Sequence, residues 1–457
     1  MTIGRTVYRR LNRRHFLRIG GAGLFGLSWS RLFEAQAAPA KRQARQLIVV
    51  WMGGGPPHID MFDMKPDAPE DIRGAWKPIQ TKLPGLLTND LMPGLARVAD
   101  KLTIVRSFDM TAAGMYHGHH GGWEPCFSGW SRVPQTGDTG GRPGTLKYPL
   151  VGNVMSRELP VPKDVPAYVH YGQPSMAGYN GHDSYLGAAH DAVRLSIGSA
   201  RDPLMEMLAP PPALLDPAIL EQRVKLLRAL DEVRERVDQG QVAPEASAAN
   251  QKALDLLRSP TFSQALDLQR EPARSAERYG KGDWARWLLA ARRLIEAGVP
   301  CVFVNLHSWD FHGSPKDPGT DAVYKSASSC FANYSAAMSA LIEDLGERGL
   351  LDSTIVVSGG EMGRTPKPEN GTRGARGHWP QAGSFLFAGG GFRRGCIVGE
   401  TDRQGAAVKG VPFAQPSLAR TLYHLLGIDP EQEVLMPDGR PMKIVAAPGP
   451  IIQEALA

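Results

Sequence analysis

The sequence predicts an α/β protein built on a doubly wound, mostly parallel β-sheet. Residues 46–52 form a continuous apolar run rich in β-branched side chains, and three Gly and two Pro follow it. This pattern is typical of a central strand that is buried on both faces. Comparable runs recur along the chain and alternate with helical patterns, as in doubly wound sheets. The predicted strands are 46–52, 102–105, 301–306, 354–357 and 384–387, and the clearest predicted helices are 217–238, 283–297, 330–348 and 417–426.

Residues 209–282 interrupt this alternation with a long, charged and mostly helical stretch that contains no convincing strand. We expect a helical insertion within a single domain spanning residues 38–457 rather than a second domain. Residues 129–148 are rich in Gly, Thr, Pro and Arg and show no periodicity. They predict a surface loop near the functional site.

Composition excludes a disordered chain, because 42% of the 457 residues are apolar and only 21% are charged. The net charge of +6 resides entirely in residues 1–37, and the remaining chain has 45 basic and 45 acidic residues. We therefore expect no nucleic-acid partner for the folded domain. The four cysteines form no C-x-x-C pair, which argues against a cysteine zinc site, and we expect at least two buried free thiols.

The N-terminus has the three parts of a cleavable export signal, which we place at residues 1–37. A basic stretch, Arg9 to Arg18, precedes the apolar run Ile19 to Trp29, and the small-residue site Ala35 to Ala37 follows. An uncleaved anchor is the alternative, although about eleven apolar residues are too few to span a bilayer. Asn12 to Leu17 resembles the twin-arginine consensus, which implies export by the twin-arginine translocase to the periplasm or beyond. No second segment is long enough to cross a membrane.

Polar side chains follow the predicted strands at the edge where doubly wound sheets bind their ligands. Carboxylates and imidazoles that converge from separate strand ends could form the mixed nitrogen and oxygen shell of one or two divalent ions, such as Zn, Mn or Fe. Asp310 and His312 are the strongest pair, because two ligand types one residue apart can face one ion in an extended segment. Asp63 as a cap and His378 as a hydrogen-bonded loop residue remain alternatives. The clusters are His58, Asp60 and Asp63; His307, Asp310 and His312; Glu361 and Arg364; and His378.

A fifth cluster contains three histidines within four residues, His117, His119 and His120. These imidazoles could act as a metal ligand, a general acid or base, or a nucleophile, or they could form a surface patch. Arg364 could clamp an anionic oxygen or form an ordinary salt bridge. The glycines at 53–55 lack the spacing of phosphate or dinucleotide loops and predict a tight strand-exit turn.

Five motifs recur together with the twin-arginine leader: Gly54 to Asp63, Lys65 to Pro69, Trp309 to His312, Glu361 to Pro366 and Gly377 to Gly391. Together they resemble the DUF1501 family, which is grouped with the alkaline phosphatase/sulfatase-like fold. That fold includes sulfatases, phosphodiesterases and cofactor-independent phosphoglycerate mutases. The helix at residues 417–427 also resembles a helix near the end of sulfatases.

The resemblance implies a role for individual residues. Asp60 corresponds to the metal aspartate of the first strand, Glu361 to a carboxylate of a second metal, and His378 to the late histidine ligand. Met362 stands where the superfamily usually has a histidine, and histidines precede Gly129 where a Cys, Ser or Thr nucleophile is usual. Ser107 and Thr111 are only weak substitutes. The full set of predicted ligands is Asp60, His58, Asp310, His312, Glu361 and His378, and the catalytic candidates are His119, His117 and Arg364.

The resemblance implies an exported metal-dependent hydrolase of phosphate or sulfate esters that acts on small anionic substrates. Either a water molecule activated by the metal or a histidine would attack the ester. The alternatives are a non-catalytic secreted metal-binding or scaffold protein and, less favoured, a redox use of iron. A hydrolase needs a metal site that substrate can reach, whereas a structural site is closed by protein ligands.

Overall fold

The computed structural model describes residues 43–115, 118–119, 122–130, 148–172, 184–195, 255–256, 259–313, 321–436 and 439–457. All of them belong to one compact unit, Arg42–Ala457. The predicted export signal and the helix predicted at 217–238 lie outside the described residues, as does most of the loop predicted at 129–148. Within the described ranges, every helix is too short or too polar to span a membrane.

An eight-stranded sheet in the order β12-β4-β11-β8-β1-β7-β5-β6 forms the centre of this unit. All of its neighbouring pairs are parallel except those of β11, which runs antiparallel to both β4 and β8. The predicted mostly parallel sheet is therefore confirmed. The strands of this sheet and of four small two-stranded sheets are β1 (Gln46–Trp51), β2 (Pro78–Gln80), β3 (Leu87–Asn89), β4 (Leu102–Phe108), β5 (Tyr168–Gly172), β6 (Val193–Leu195), β7 (Cys301–Asn305), β8 (Thr354–Gly359), β9 (Gly363–Pro368), β10 (Arg376–Trp379), β11 (Gly383–Ala388), β12 (Cys396–Val398), β13 (Glu400–Thr401), β14 (Val408–Lys409), β15 (Glu433–Leu435) and β16 (Pro441–Lys443).

Helices cover both faces of the sheet, which explains why β1 is apolar at every position from Leu47 onward. Ile48 and Val50 belong to the hydrophobic cluster that includes residues of α7 and α8, whereas Leu47 and Val49 belong to the cluster of α3, α4 and α9. The helices are α1 (His58–Met61), α2 (Pro93–Val98), α3 (Trp123–Ser128), α4 (Val151–Glu158), α5 (Pro260–Leu266), α6 (Ala273–Arg278), α7 (Asp283–Glu296), α8 (Ala322–Glu347) and α9 (Gln415–Leu426).

All five predicted strands are present, and so are the helices predicted at 283–297, 330–348 and 417–426. Strands β5, β6 and β12 of the main sheet were not predicted. The described part of the predicted insertion, 255–256 and 259–282, contains α5 and α6 and no strand. The expectation of at least two buried free thiols is also confirmed, because Cys126, Cys301 and Cys330 are buried and free.

Candidate metal centre

The carboxyl edge of the sheet brings together segments that are far apart in sequence. Strands β8, β1 and β7 are parallel neighbours, so the residues after each strand meet at one edge. Asp310 and His312 follow β7, and Glu361 follows β8. The antiparallel hairpin β9–β10 then carries Arg364 and His378, which are paired across the two strands.

Four side chains converge at this edge: His119, Asp310, His312 and His378. Each offers one ligand atom, and these atoms all lie within 4.8 Å of one another. The Nε2 atom of His378 lies 2.7 Å from Nε2 of His119 and 2.8 Å from Nε2 of His312. Oδ1 of Asp310 lies 2.9 Å from Nε2 of His312 and 3.3 Å from Nε2 of His119. The structure thus forms a group of three imidazole nitrogens and one carboxylate oxygen that could hold a metal ion.

Two further carboxylates orient two of these imidazoles. Oε1 of Glu361 lies 2.6 Å from Nδ1 of His119 and also accepts a hydrogen bond from the Gly54 amide at 2.8 Å. Oε2 of Glu369 lies 2.8 Å from Nδ1 of His312 and accepts from the Gly313 amide at 2.9 Å. A carboxylate at Nδ1 favours a proton on that nitrogen, so the Nε2 lone pair points toward the other three ligand atoms.

The donor set fits a cation. With Nδ1 protonated, the Nε2 atoms of His119 and His312 are acceptors, Asp310 is anionic, and Nε2 of His378 can donate at most one hydrogen to them. In this neutral form of the rings, four ligand atoms converge with few protons between them. Either a second proton on His119 or a metal ion at the centre supplies the positive charge that relieves the repulsion. Nitrogen and oxygen donors of this kind suit Zn, Mn or Fe.

The pKa shifts agree with a preference for positive charge at this place. Burial lowers the pKa of His119, but its hydrogen bonds to Asp310 and Glu361 outweigh burial and raise the pKa to about 9. Burial also opposes ionisation of Asp310, yet hydrogen bonds from His119, His378 and Arg364 hold the pKa of this carboxyl well below its usual range. A metal ion would compete with the proton on His119 for the same lone pair.

Arg364 is fully buried and its guanidinium is bonded to protein groups. It donates to the carbonyls of Gly54, Gly55 and Arg376 and to the carboxylate of Asp310. Arg364 therefore forms a structural salt bridge with Asp310, and its guanidinium is not exposed to bind an anionic oxygen of a substrate. Arg364 therefore fixes the orientation of Asp310 within the cluster.

The glycines after β1 make this packing possible, as their predicted turn requires. Gly54 and Gly55 have φ angles of 111° and 82°, in the left-handed region that favours glycine. A Cβ atom on Gly54 would lie 2.6 Å from the amide nitrogen of Asp310. Only a residue without a side chain lets the turn approach the segment that carries Asp310 and His312.

Three predicted ligands, Asp60, His58 and Glu361, lie outside the four-residue cluster. Asp60 is fully buried, and its two oxygens accept from Nε and Nη2 of Arg376 at 2.6 and 2.8 Å. His58 is also buried, with Nε2 2.8 Å from the Gly405 carbonyl, and burial lowers its pKa. Because both side chains are occupied by protein groups, we leave them out of the proposed metal shell.

Of the remaining predicted residues, some belong to the cluster and one, Glu361, holds a cluster histidine in place. His119, predicted as a catalytic candidate, joins Asp310, His312 and His378, whereas Glu361 contacts the cluster through His119. His117 lies outside the described residues. Glu369 was missed by the sequence reasoning, because it follows His312 by 57 positions and no motif links the two.

One side of the cluster is accessible from outside the protein. The side chains of Asp310, His312 and His378 are 36%, 38% and 43% exposed, whereas that of His119 is 13% exposed. The buried His119 side rests on Glu361, and the other side is open at the surface. An ion held here would thus have a face that a ligand can reach.

No curated protein matches the chain. Similar solved structures include the phosphonate monoester hydrolase SpPMH from Silicibacter pomeroyi (12% identity, TM-score 0.40, covering 90% of this chain and 76% of that one). They also include a protein in the alkaline phosphatase superfamily from Vibrio parahaemolyticus (11%, 0.38, 86% and 69%) and the C-terminal periplasmic domain of EcEptC from Escherichia coli in complex with Zn (11%, 0.36, 92% and 93%). Identities this low say nothing about what this chain binds or converts. Residues 44–456 match the family described as "Protein of unknown function (DUF1501)", and the chain therefore belongs to that family.

Proposed function

We propose that this protein is an exported, metal-dependent hydrolase of phosphate or sulfate esters. The supporting observation is the convergence of three imidazole nitrogens and one carboxylate oxygen, with Asp310, His312 and His378 partly exposed. A structural metal site is closed by protein ligands, whereas a catalytic site keeps one side open. The exposed side of this cluster favours the enzyme over a non-catalytic metal-binding or scaffold protein.

The proposed ligands are His119, Asp310, His312 and His378, and the proposed ions are Zn, Mn or Fe. Such an ion supplies Lewis-acid chemistry to a phosphoryl or sulfuryl oxygen. The chain's own part is to hold the ligands in one geometry. Glu361 and Glu369 fix the rings of His119 and His312, and Arg364 fixes the carboxylate of Asp310.

The attacking group in this proposal is water that enters from the exposed side. His119 is a poor candidate for the nucleophile, because both of its ring nitrogens are engaged, Nδ1 by Glu361 and Nε2 by the cluster. The anionic ester would approach past His312 and His378, which line the open side. His117 remains a candidate for a general acid or base.

Export is the second part of the proposal, and it depends on the sequence from Arg9 to Ala37. The twin-arginine pathway carries folded proteins, often with their cofactor, so the metal would be acquired before transport. The folded protein would then work in the periplasm or outside the cell. Its interaction with the translocase would end when the signal is cleaved.

One experiment tests metal, activity and export together. The protein is recovered from the periplasmic fraction, its metal content is measured by mass spectrometry, and hydrolysis of p-nitrophenyl phosphate and p-nitrophenyl sulfate is followed with and without chelator. We expect stoichiometric metal and chelator-sensitive turnover. Asp310→Ala/His312→Ala should lose both, whereas the matched control His424→Ala/Asp429→Ala, outside the cluster, should keep both. Arg13→Lys/Arg14→Lys should leave the protein in the cytoplasm.

The outcomes separate the alternatives. Unchanged metal content in the folded Asp310→Ala/His312→Ala variant would refute the metal site. Stoichiometric metal without hydrolysis of either ester would favour the binding or scaffold protein. Periplasmic recovery of the Arg13→Lys/Arg14→Lys variant would refute the twin-arginine route and leave the site untouched.

A further inference from the structure

A cavity lies beside the hairpin β9–β10, and its lining residues are distinct from the metal cluster. Its volume is about 750 Å³, within the range of small-molecule sites. One wall comes from the segment between α1 and β2, around Arg73 to Lys77, and the other from the hairpin tip, Pro368 to Arg376. None of the four proposed metal ligands lines it.

The cavity lining carries an excess of positive charge. Arg73, Lys77 and Arg373 are exposed cations that line it, and Glu70 is the one carboxylate among its described lining residues. Nη1 of Arg373 also lies 3.7 Å from Oδ1 of Asp321, in an exposed pair that solvent screens. Arg376 also lines the cavity, but its buried guanidinium is neutralised by Asp60. A concave surface of this charge concentrates anions, because several cations act on the same small volume.

The Arg373 side chain is held in place by aromatic stacking. Its guanidinium lies 3.7 Å from the centroid of the Tyr324 ring, and that ring stacks on Trp76 at 5.2 Å with an interplanar angle of 12°. Nε1 of Trp76 donates to Oγ of Ser328 at 2.9 Å. A guanidinium fixed in this way loses less side-chain entropy on binding an anion than a free surface arginine.

Two glycines line the cavity close to its floor, which is the buried Asp60–Arg376 pair. Gly74 has a φ of 88°, and a Cβ atom there would collide with Oδ1 of Asp60. Gly374 has a φ of 77°, and a Cβ atom there would lie 2.9 Å from the Trp76 ring. Glycine therefore lets the backbone of each wall pack closely against Asp60 or Trp76, and no side chain from these two positions enters the cavity.

We propose that this cavity binds a small oligoanion that carries two or more phosphate, sulfate or carboxylate groups. Arg73, Lys77 and Arg373 contact the anionic groups, because guanidinium and ammonium groups form charge-assisted hydrogen bonds with such oxygens. The buried Asp60–Arg376 pair supports the floor without adding net charge. The site is independent of the proposed hydrolase, since it shares no ligand residue with the metal cluster.

The test is calorimetric titration of inorganic pyrophosphate into the wild-type protein and three variants. Arg73→Ala/Lys77→Ala/Arg373→Ala removes the cavity cations. Arg270→Ala/Arg274→Ala/Lys281→Ala is the control, because it removes three exposed cations outside the cavity lining. Asp310→Ala/His312→Ala removes the metal cluster. Circular dichroism confirms that each variant is folded.

We expect pyrophosphate to bind the wild type, the control and the cluster variant alike, and to bind the cavity variant at least about tenfold more weakly. Three results would overturn the proposal. They are no binding to the wild type, equal binding to the cavity variant and the control, and binding that disappears with the metal cluster. The last result would assign pyrophosphate to the metal centre, so failure of the cavity and failure of the hydrolase remain distinguishable.

Discussion

At the scale of single residues, three buried or half-buried acids near the carboxyl edge differ in what their oxygens contact. Asp60 gives both oxygens to Arg376, Glu361 holds His119, and Glu369 holds His312. Among the described acids, Asp310 alone places an oxygen among the three imidazoles. The sequence identified Asp60, Glu361 and Asp310 as acids that follow strands, but it missed Glu369. The partner of each acid depends on which loops meet it in three dimensions.

Asp60→Asn separates the structural role of this residue from a metal role. The substitution leaves the Arg376 guanidinium buried without a charged partner, which costs about 3 kcal/mol of stability by analogy with other broken buried pairs. Denaturant unfolding measures this loss. Metal content per folded molecule should stay at the wild-type value, because the four proposed ligands are intact. Loss of metal from the folded variant would show that Asp60 is a ligand after all.

At the scale of elements, the sequence predicts those strands whose burial requires a local apolar pattern. Because strands β1, β7 and β8 are covered on both faces, their sequences are mostly apolar runs that can be recognised directly. Strand β6 has three residues at the sheet edge, one of them exposed, and β12 is equally short and mostly half-buried, so neither leaves a clear signal.

The hairpin β9–β10 was not predicted from the sequence, although it positions Arg364 and His378 at the site. Its strands are rich in Gly, Pro and Arg and contain one β-branched residue, Thr365. Long-range contacts of Arg364 and Arg376 hold them in place. The ligands at strand ends, Asp310 and His312, were therefore predictable from position. His378 was predicted as a ligand from the family resemblance rather than from its position after a strand. The support from Glu369 was not predicted.

The turn after β1 is an element-scale requirement that a paired substitution can test. Gly54→Ala should destabilise the protein more than Gly349→Ala, although both residues have positive φ angles, 111° and 68°. The difference is steric, because a Cβ atom at Gly54 meets the Asp310 amide at 2.6 Å, whereas one at Gly349 meets nothing within 4 Å.

We expect Gly349→Ala to cost about 1 kcal/mol, and Gly54→Ala at least about 2 kcal/mol with reduced metal content. Thermal unfolding and elemental analysis of both variants measure these effects. Equal stability and equal metal content would show that the turn tolerates a side chain. The segment that carries Asp310 would then be less tightly positioned than its contacts indicate.

At the scale of the whole molecule, a buried charge network joins α7 and α8 to the segment that precedes them. Arg292 is 1% exposed and pairs with Glu271 at 2.5 Å and with Asp344 at 2.9 Å. Arg293 pairs with Glu271 at 2.8 Å, and the Tyr279 hydroxyl donates to Asp344 at 2.9 Å. The network replaces apolar packing where the helices meet, so its stability depends on ionisation.

Acid should therefore destabilise the fold through Glu271 and Asp344. Burial opposes ionisation of both carboxyls, but hydrogen bonds outweigh it and lower both pKa values in the folded state. Arg292 and Arg293 bond to Glu271, and Arg348 bonds to Asp344, where the charge of Arg292 adds to the effect. The unfolded chain then binds more protons than the folded one, and their contribution to stability is complete only above the unfolded pKa. We expect the free energy of unfolding to fall as the pH drops below about 5.

Glu271→Gln tests this dependence, because an amide cannot titrate. Urea unfolding from pH 7 to pH 3 should show a lower stability at pH 7 and a shallower decline toward acid than in the wild type. Glu433→Gln, on the exposed position of β15, should follow the wild-type curve. Parallel curves for the wild type and Glu271→Gln would mean that the pKa of Glu271 is the same in the folded and unfolded chains. Acid sensitivity would then have to come from carboxylates elsewhere in the protein.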